Sequence, residues 1–239
     1  MLCSFLKTRC LEPELMDQPD VDPQLHREAL AALHRVNRLS RIPQVLWKAL
    51  LRWVPAEQLP RLRLLDVACG GGDVLVQLGR WARSRGWSWQ LAGCDFSPRA
   101  LEISCSCARK AGLEVELFEH DVTRDVLSGS WDAVTCTLFL HHLEEATAVK
   151  LLGQMAQAAQ HVALVDDLNR TCLGYAMAWT VGRLSRNLLV REDAPQSVRA
   201  AFTPEEAARM VRQAGGRVLQ LRRHWPQRWL LAFAAEEGG

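Results

Sequence analysis

His141 and His142 are adjacent imidazoles behind the apolar run Leu138-Phe139-Leu140. An imidazole titrating near ~6.5 can take the proton of a phenol or other hydroxyl as a new bond forms on its oxygen. Neighbours in a regular turn do not both face one pocket, so at most one of the pair is a base. Packing, or capping of the helix that starts near Glu144, is the competing reading for either. Asp95 ends a second apolar run, before Phe96-Ser97-Pro98. An ionised carboxylate only accepts hydrogen bonds, so it can take one from each hydroxyl of a cis-diol; a turn or helix-cap aspartate is the alternative. Asp66 precedes Ala68, Gly70, Gly71 and Gly72. Glycines let the backbone approach a ligand with no Cβ in the way. A helix beginning near Val74 adds the free N–H groups of its first turn. These are the parts of a nucleotide pocket.

Such groups need a scaffold that brings loops together. From Leu62 the pattern alternates apolar runs with amphipathic periods, which predicts strands at 62–67, 88–95, 113–120, 131–137 and 160–166 and helices at 73–85, 97–111 and 144–159. Strands linked by crossover helices make a parallel sheet with helices on both sides. Thr203-Pro204-Glu205-Glu206 has the form of a capping box. The end differs: 218–225 and 228–234, joined through Pro226-Gln227, read as a β-hairpin, and Trp229-Leu230-Leu231-Ala232-Phe233 is apolar on both faces, as a buried strand requires. Ahead of the main domain, residues 1–20 lack periodicity and read as a loose leader. Asp22-Pro23 starts a helix carrying Leu25, Ala29, Leu33 and Val36, Pro43 is expected to break it, and 45–53 reads as a second helix. The division is therefore 1–60 as leader and helical lid or oligomer contact, and 61–239 as the main domain with a helical insertion at 171–201.

Strand, glycines and helix usually announce a dinucleotide through G-x-G-x-x-G. Here Leu75 stands where the third glycine belongs, and Asp66 lies ahead of the turn. An acid there repels a pyrophosphate and suits a ligand carrying a cationic amine or sulfonium. Asp66-x-Ala68-x-Gly70-x-Gly72 resembles motif I of the class I S-adenosylmethionine-dependent methyltransferases, with alanine for the usual first glycine. Asp95-Phe96-Ser97-Pro98 resembles the family's second-strand end, whose acid binds both ribose hydroxyls. His120-Asp121-Val122 resembles the motif after strand three, in which Asp holds the adenine amino group and the next backbone N–H reads the ring. The terminal hairpin resembles the family's antiparallel seventh strand, placed between strands five and six. The resemblance spans roughly residues 40–235. It implies an α/β, Rossmann-like, seven-stranded and mostly parallel sheet with an antiparallel last strand. It also implies S-adenosylmethionine as cofactor, held by Asp66, Ala68, Gly70, Gly72, Asp95, Phe96, Asp121, Val122 and, at the end of strand four, Thr137.

Nucleic-acid amino methyltransferases carry an Asn/Asp-Pro-Pro-Tyr/Phe tetrad after strand four and cytosine C5 enzymes a Pro-Cys pair; this chain has neither. The segment instead resembles small-molecule enzymes, including quinone and polyketide methyltransferases, in which an apolar run precedes His. That resemblance makes His142 mainly structural and leaves His141 as the base. Of Asp166-Asp167, one is expected to contact the substrate and the other to cap the loop. Asp166, Tyr175 and Trp179 are the expected acceptor contacts, with Met177, Leu184, Leu188 and Leu189 completing an apolar pocket under the 22–53 helices; ordinary core packing is the alternative. The acceptor is expected to be a small lipophilic phenol, quinone or polyketide, methylated on oxygen or carbon.

Composition sets the outer limits. Apolar residues make up 49% and charged residues 23%, the balance of an ordinary globular protein. A net charge of +2 is too small for a nucleic-acid coat, and the late arginines between Arg209 and Arg228 read as a solvated face. The eight cysteines include no C-x-x-C pair, so no metal is expected. Several lie in apolar runs, as reduced cysteines do in a cytoplasm. No apolar stretch reaches the ~18 residues of a membrane span; the nearest, 173–190, is interrupted by Arg183 and Arg186. Met1-Leu2-Cys3-Ser4-Phe5-Leu6 is too short for a secretory signal. The expected partners are a lipophilic small molecule and, through the N-terminal helices, a second copy of the chain. A nicotinamide oxidoreductase and a non-catalytic S-adenosylmethionine-binding subunit are the competing classes.

Overall fold

The computed structural model describes residues 4–15, 22, 24–25, 27–28, 40–185 and 187–236. Seven strands form one sheet: β1 Arg63–Val67, β2 Gln90–Asp95, β3 Val115–Glu119, β4 Trp131–Thr137, β5 Ala159–Leu168, β6 Gly216–His224 and β7 Arg228–Ala235. Their order is β3-β2-β1-β4-β5-β7-β6. The first five run parallel, and β7 inserts antiparallel between β5 and β6. This is the expected sheet, including the buried hairpin strand, whose Trp229 and Phe233 have no solvent exposure.

Side chains alternate across a strand, and β1 shows the consequence. Leu64 packs into one apolar cluster and Leu65 into another on the opposite face. On the Leu64 side lie α1 Ile42–Trp53 and α2 Asp73–Ser84; on the Leu65 side lie α4 Glu145–Ala158 and α7 Pro204–Gln213. The helix α3 Pro98–Lys110 is capped by Ser97, whose hydroxyl accepts from the Ala100 N–H. For α7 the capping box of Thr203 and Glu206 is present as the sequence predicts.

Two N-terminal expectations change. Pro43 sits in the first turn of α1, where its missing N–H costs nothing, so it opens the second of the two expected helices. The face of α1 carrying Ile42, Leu46 and Leu50 is fully buried against the sheet, and Trp47 stacks on Trp87 and Trp89. This helix is thus a layer of the core, not a lid, and its apolar face is covered within the chain. The leader is not loose over residues 4–15 either. Arg9 donates to the carbonyls of His141 (2.7 Å) and Leu143 (2.6 Å), and its guanidinium lies 3.9 Å from the centre of the Phe202 ring. Upstream of α1, Asp22 accepts from the N–H groups of Gln24 and Leu25 as an N-cap does; the body of that helix at 29–39 lies outside the described residues.

The insertion after β5 is a helical pair, α5 Cys172–Leu184 and α6 Leu188–Ala200. Of the cysteines, Cys69, Cys94 and Cys136 are free and buried as small core residues, whereas Cys172 is disulfide-bonded, so the reduced-cysteine reading does not extend to it. Among the described residues no helix is long and apolar enough to cross a membrane.

Candidate active site

The carboxyl ends of β1, β2 and β4 open onto one side of the sheet, where ligands of parallel α/β folds collect. After β1 the chain turns through Ala68 (φ 53°), Gly70 (φ 53°) and Gly72 (φ 71°). Left-handed backbone suits glycine; at Ala68 the Cβ costs roughly 1–2 kcal/mol. The two glycines do different work. A Cβ on Gly72 would fall 2.1 Å from Ser104 Oγ on α3, so this glycine lets α3 close onto the loop. A Cβ on Gly70 would meet nothing within 4 Å, so Gly70 faces open space. Asp95, at the end of β2, ties the loop down: Oδ2 accepts from the Gly70 N–H at 2.8 Å and Oδ1 from the Ser97 N–H at 3.0 Å. Phe96 next to it is 53% exposed, an apolar surface at the lip. Open space before a glycine turn, a buried carboxylate beside it and an exposed ring at its edge fit S-adenosylmethionine, whose methionyl, ribose and adenine parts need those three surroundings.

The other sequence-predicted cofactor residues are less open. Asp66 is buried inside the sheet, and its Oδ1 accepts from Thr135 Oγ1 at 2.7 Å. Burial pushes its carboxyl up to about 7 against the help of the Thr135 hydroxyl. Its structural partner is a neighbouring strand instead of open space. Asp121 closes a turn by accepting from both the N–H and the hydroxyl of Thr123, which hold its carboxyl below the usual range. The Val122 side chain belongs to the core, leaving only its backbone for a ligand. Thr137 is half-buried at the end of β4, in register with Asp166.

Beside this loop cluster lies a cavity of about 210 Å³. Its apolar wall comes from Met177, Val181, Leu189 and Val198 of the α5–α6 pair, with Leu138 and Leu168 from the sheet end. Its polar end is built by His141, His142 and, from the leader, Glu14. His141 sits in a short turn, 140–142, and is only 3% exposed. Its Nδ1 lies 2.7 Å from Asp167 Oδ1, and its backbone N–H donates to Asp167 Oδ2 at 3.1 Å. Burial alone would push the Asp167 carboxyl up; the charge and hydrogen bond of the His141 ring and the Leu168 N–H bring it below the usual range. An ionised Asp167 fixes the Nδ1–H tautomer and turns Nε2 toward Glu14, 3.7 Å away. His142 Nε2 is 3.9 Å from the other Glu14 oxygen. Glu14, His141 and His142 are the one such trio among the described residues, with their nitrogen and oxygen atoms within 4.8 Å of one another. Glu14 also accepts from the Ser197 hydroxyl. At 3.7 and 3.9 Å the carboxylate faces both rings without hydrogen-bonding directly to either, and we assign no metal to the cluster.

Three acceptor expectations move by one position or one helix face. Asp166 does not line the cavity; it is fully buried, 2.6 Å from His224 Nε2, and faces away from His141 because alternate strand residues face opposite ways. Asp167 faces the candidate base instead. Tyr175 packs edge-on against Phe5, and Trp179 is half-exposed beneath the Arg183 guanidinium. The face of α5 toward the cavity carries Gly174, Met177, Ala178 and Val181, at helical spacing. Arg228 also lines the cavity, and its Nε and Nη1 have no hydrogen-bond partner among the described residues; Nη1 lies 3.8 Å from Asp166 Oδ1. Burial lowers the pKa of this guanidinium. Neither Glu14 nor Arg228 carries a sequence signal: one sits in an aperiodic leader, the other in an arginine-rich hairpin.

Residues 64–161 match the family described as "Methyltransferase domain". Among curated relatives, a ubiquinone biosynthesis O-methyltransferase of Ralstonia nicotianae is 27% identical over 80% of this chain and 74% of its own length. One of the same description from Alkalilimnicola ehrlichii is 31% identical over 64% of this chain and 59% of its own. The fold is shared with a magnesium protoporphyrin IX methyltransferase from Synechocystis solved with bound SAH (TM-score 0.63, 15% identity, 92% of this chain and 91% of that one). It is shared equally with a SAM-dependent methyltransferase from Aquifex aeolicus (TM-score 0.63, 16% identity, 90% and 98%). With the glycine turn, the seven-stranded order and these likenesses together, residues 64–161 form a methyltransferase domain, on the sheet shared by S-adenosylmethionine-dependent methyltransferases.

Proposed function

We propose that this enzyme methylates an oxygen of a small lipophilic acceptor, a phenol, quinol or polyketide-like compound, with His141 as general base. S-adenosylmethionine, when bound, supplies an electrophilic methyl group on a sulfonium. On the protein side, Asp95 and the Gly70 turn hold one reactant, and the α5–α6 wall holds the other by apolar contact. Holding both converts a bimolecular collision into an effectively unimolecular step. The acceptor O–H gives its proton to His141 Nε2 as the new C–O bond forms and the C–S bond breaks; Asp167 orients the ring and offsets the imidazolium charge. The apolar cavity with a carboxylate-oriented imidazole at one end is the observation that carries this reading. The O-methyltransferases among the relatives support oxygen over carbon.

The test is incubation of the enzyme and S-adenosylmethionine with a panel of alkylphenols, quinols, resorcinols, sugars and amino acids, read by mass spectrometry for the addition of one CH2. Proton NMR of the product separates a methoxy group from a ring methyl. Labelled acceptors across the lipophilic members, with none among sugars and amino acids, is the expected result. Binding of S-adenosylhomocysteine without transfer to any of them would leave a non-catalytic binding protein.

A further inference from the structure

The polar end of the acceptor cavity is assembled from parts of the chain far apart in sequence. His141 and His142 come from the turn after β4 and Glu14 from the leader, while Asp167 of β5 stands behind His141 without lining the cavity. The leader is fixed there by several independent contacts. Arg9 holds the carbonyls of His141 and Leu143, the Cys10 N–H donates to the Arg199 carbonyl at 3.1 Å, and the Leu15 N–H donates to Asp193 Oδ1 at 2.8 Å. These contacts place a carboxylate that is only 6% exposed at the polar end of the cavity. A carboxylate taken out of water is strongly disfavoured unless a positive charge or hydrogen-bond donors compensate it. Ser197 supplies one donor, and the nearest groups able to carry positive charge are the two imidazoles.

We propose that Glu14 is a positioning residue for the base, so that the leader forms part of the active site. Asp167 addresses Nδ1 of His141 and Glu14 lies on the Nε2 side, so the imidazolium produced by proton abstraction is flanked by a carboxylate at each ring nitrogen. The same Glu14 carboxylate spans to His142, keeping the second ring beside the first, 4.3 Å between centres. This gives His142 a supporting part in the proton acceptance of its neighbour. The charged and titratable groups around His141 are Asp167 from β5, Glu14 from the leader and His142 in its own turn. Asp193 on α6 and Arg228 on β7 line the same cavity, and Arg9 sits on the turn's carbonyls. The inference rests on the reading of His141 as base, and its test separates the two.

The experiment is a pH titration of 15N-labelled imidazoles by NMR in wild type and Glu14→Gln, with His141 assigned through His141→Gln. The expected result is a His141 midpoint at least one pH unit lower in Glu14→Gln, a tenfold loss of proton affinity, and recovered in Glu14→Asp. An unchanged midpoint, or a ring neutral from roughly pH 5 to 9 in both proteins, overturns the proposal. So does stoichiometric binding of Zn2+ or Mn2+ that shifts both rings in wild type but not in Glu14→Gln, which would make the carboxylate a ligand. If Glu14→Gln loses its cooperative melt, Glu14→Met, close in volume and with no polar group to bury, replaces it with the same criteria. As a second readout, the acidic limb of the turnover profile with 3-pentadecylphenol should move to lower pH in Glu14→Gln while KM for S-adenosylmethionine stays put. A midpoint that falls with no acceptor methylated would sustain the coupling and sink the methyl-transfer reading instead.

Discussion

Asp167 reaches His141 twice, through Oδ1 at 2.7 Å from the ring Nδ1 and through Oδ2 at 3.1 Å from the backbone nitrogen. One carboxylate therefore fixes both the position of the turn and the orientation of the ring within it. Asp167 faces the His141 ring, the His141 N–H and the Leu168 N–H, so in Asp167→Asn one amide N–H must meet a group that the carboxylate accepted from. The charge that offsets the imidazolium is lost as well, and the ring no longer has a carboxylate to hold it for proton transfer. Turnover should fall on the order of 10²–10⁴-fold, the contribution of a general base, with little change in the affinity for S-adenosylhomocysteine measured by calorimetry. A variant with wild-type turnover would remove the pair from the mechanism.

Gly70 and Gly72 share a left-handed backbone yet should fail in different ways. At Gly72 a methyl group would overlap Ser104, whose Cα is also only 3.3 Å away, so α3 must move. Gly72→Ala should lower stability by about 2–3 kcal/mol, combining overpacking with left-handed strain. At Gly70 the methyl group enters open space and only the backbone strain of ~1 kcal/mol applies. In the proposed reading the cofactor fills that space, so Gly70→Ala should stay folded and bind S-adenosylhomocysteine at least tenfold more weakly. Thermal melts and calorimetry on the two variants check this. Equal stability losses with unchanged affinity would refute the division of roles.

The sheet was legible because its signals are local and periodic. Five apolar runs joined by amphipathic crossovers admit few topologies, and the doubly apolar Trp229–Phe233 segment could not sit at an edge. The place of Asp95 was legible for the same reason, being fixed by a strand end. The lining of the cavity was not. Asp166 and Asp167 differ by one residue, and in a strand one residue is the whole difference between two faces. Tyr175 and Trp179 against Met177 and Val181 is the same problem on a helix, where the phase of α5 depends on how it docks against α6. The order of the leader comes from Arg9 reaching carbonyls more than a hundred residues away, and Glu14 follows from that. Contacts of this range leave no periodic trace in sequence.

Asp66 makes stability depend on pH near neutrality, in the direction opposite to most carboxylates. Burial raises its folded-state pKa from 3.8 to about 7, so the folded protein binds a proton that the unfolded chain has released. The stabilisation is fully present below about pH 4 and is lost as pH climbs through 7. Asp167, held below the usual range, is ionised in folded and unfolded chains alike above about pH 5, so it adds no slope there. Asp66→Asn keeps an oxygen for the Thr135 hydroxyl and removes the titration. Relative to this variant, wild type should lose roughly 2–3 kcal/mol between pH 5 and 8, because each pH unit between 5 and the folded-state midpoint costs about 1.36 kcal/mol. Urea unfolding of both proteins at the two pH values measures the difference directly. A gap between them that stays constant would mean that Asp66 is ionised inside the sheet as it is in the unfolded chain.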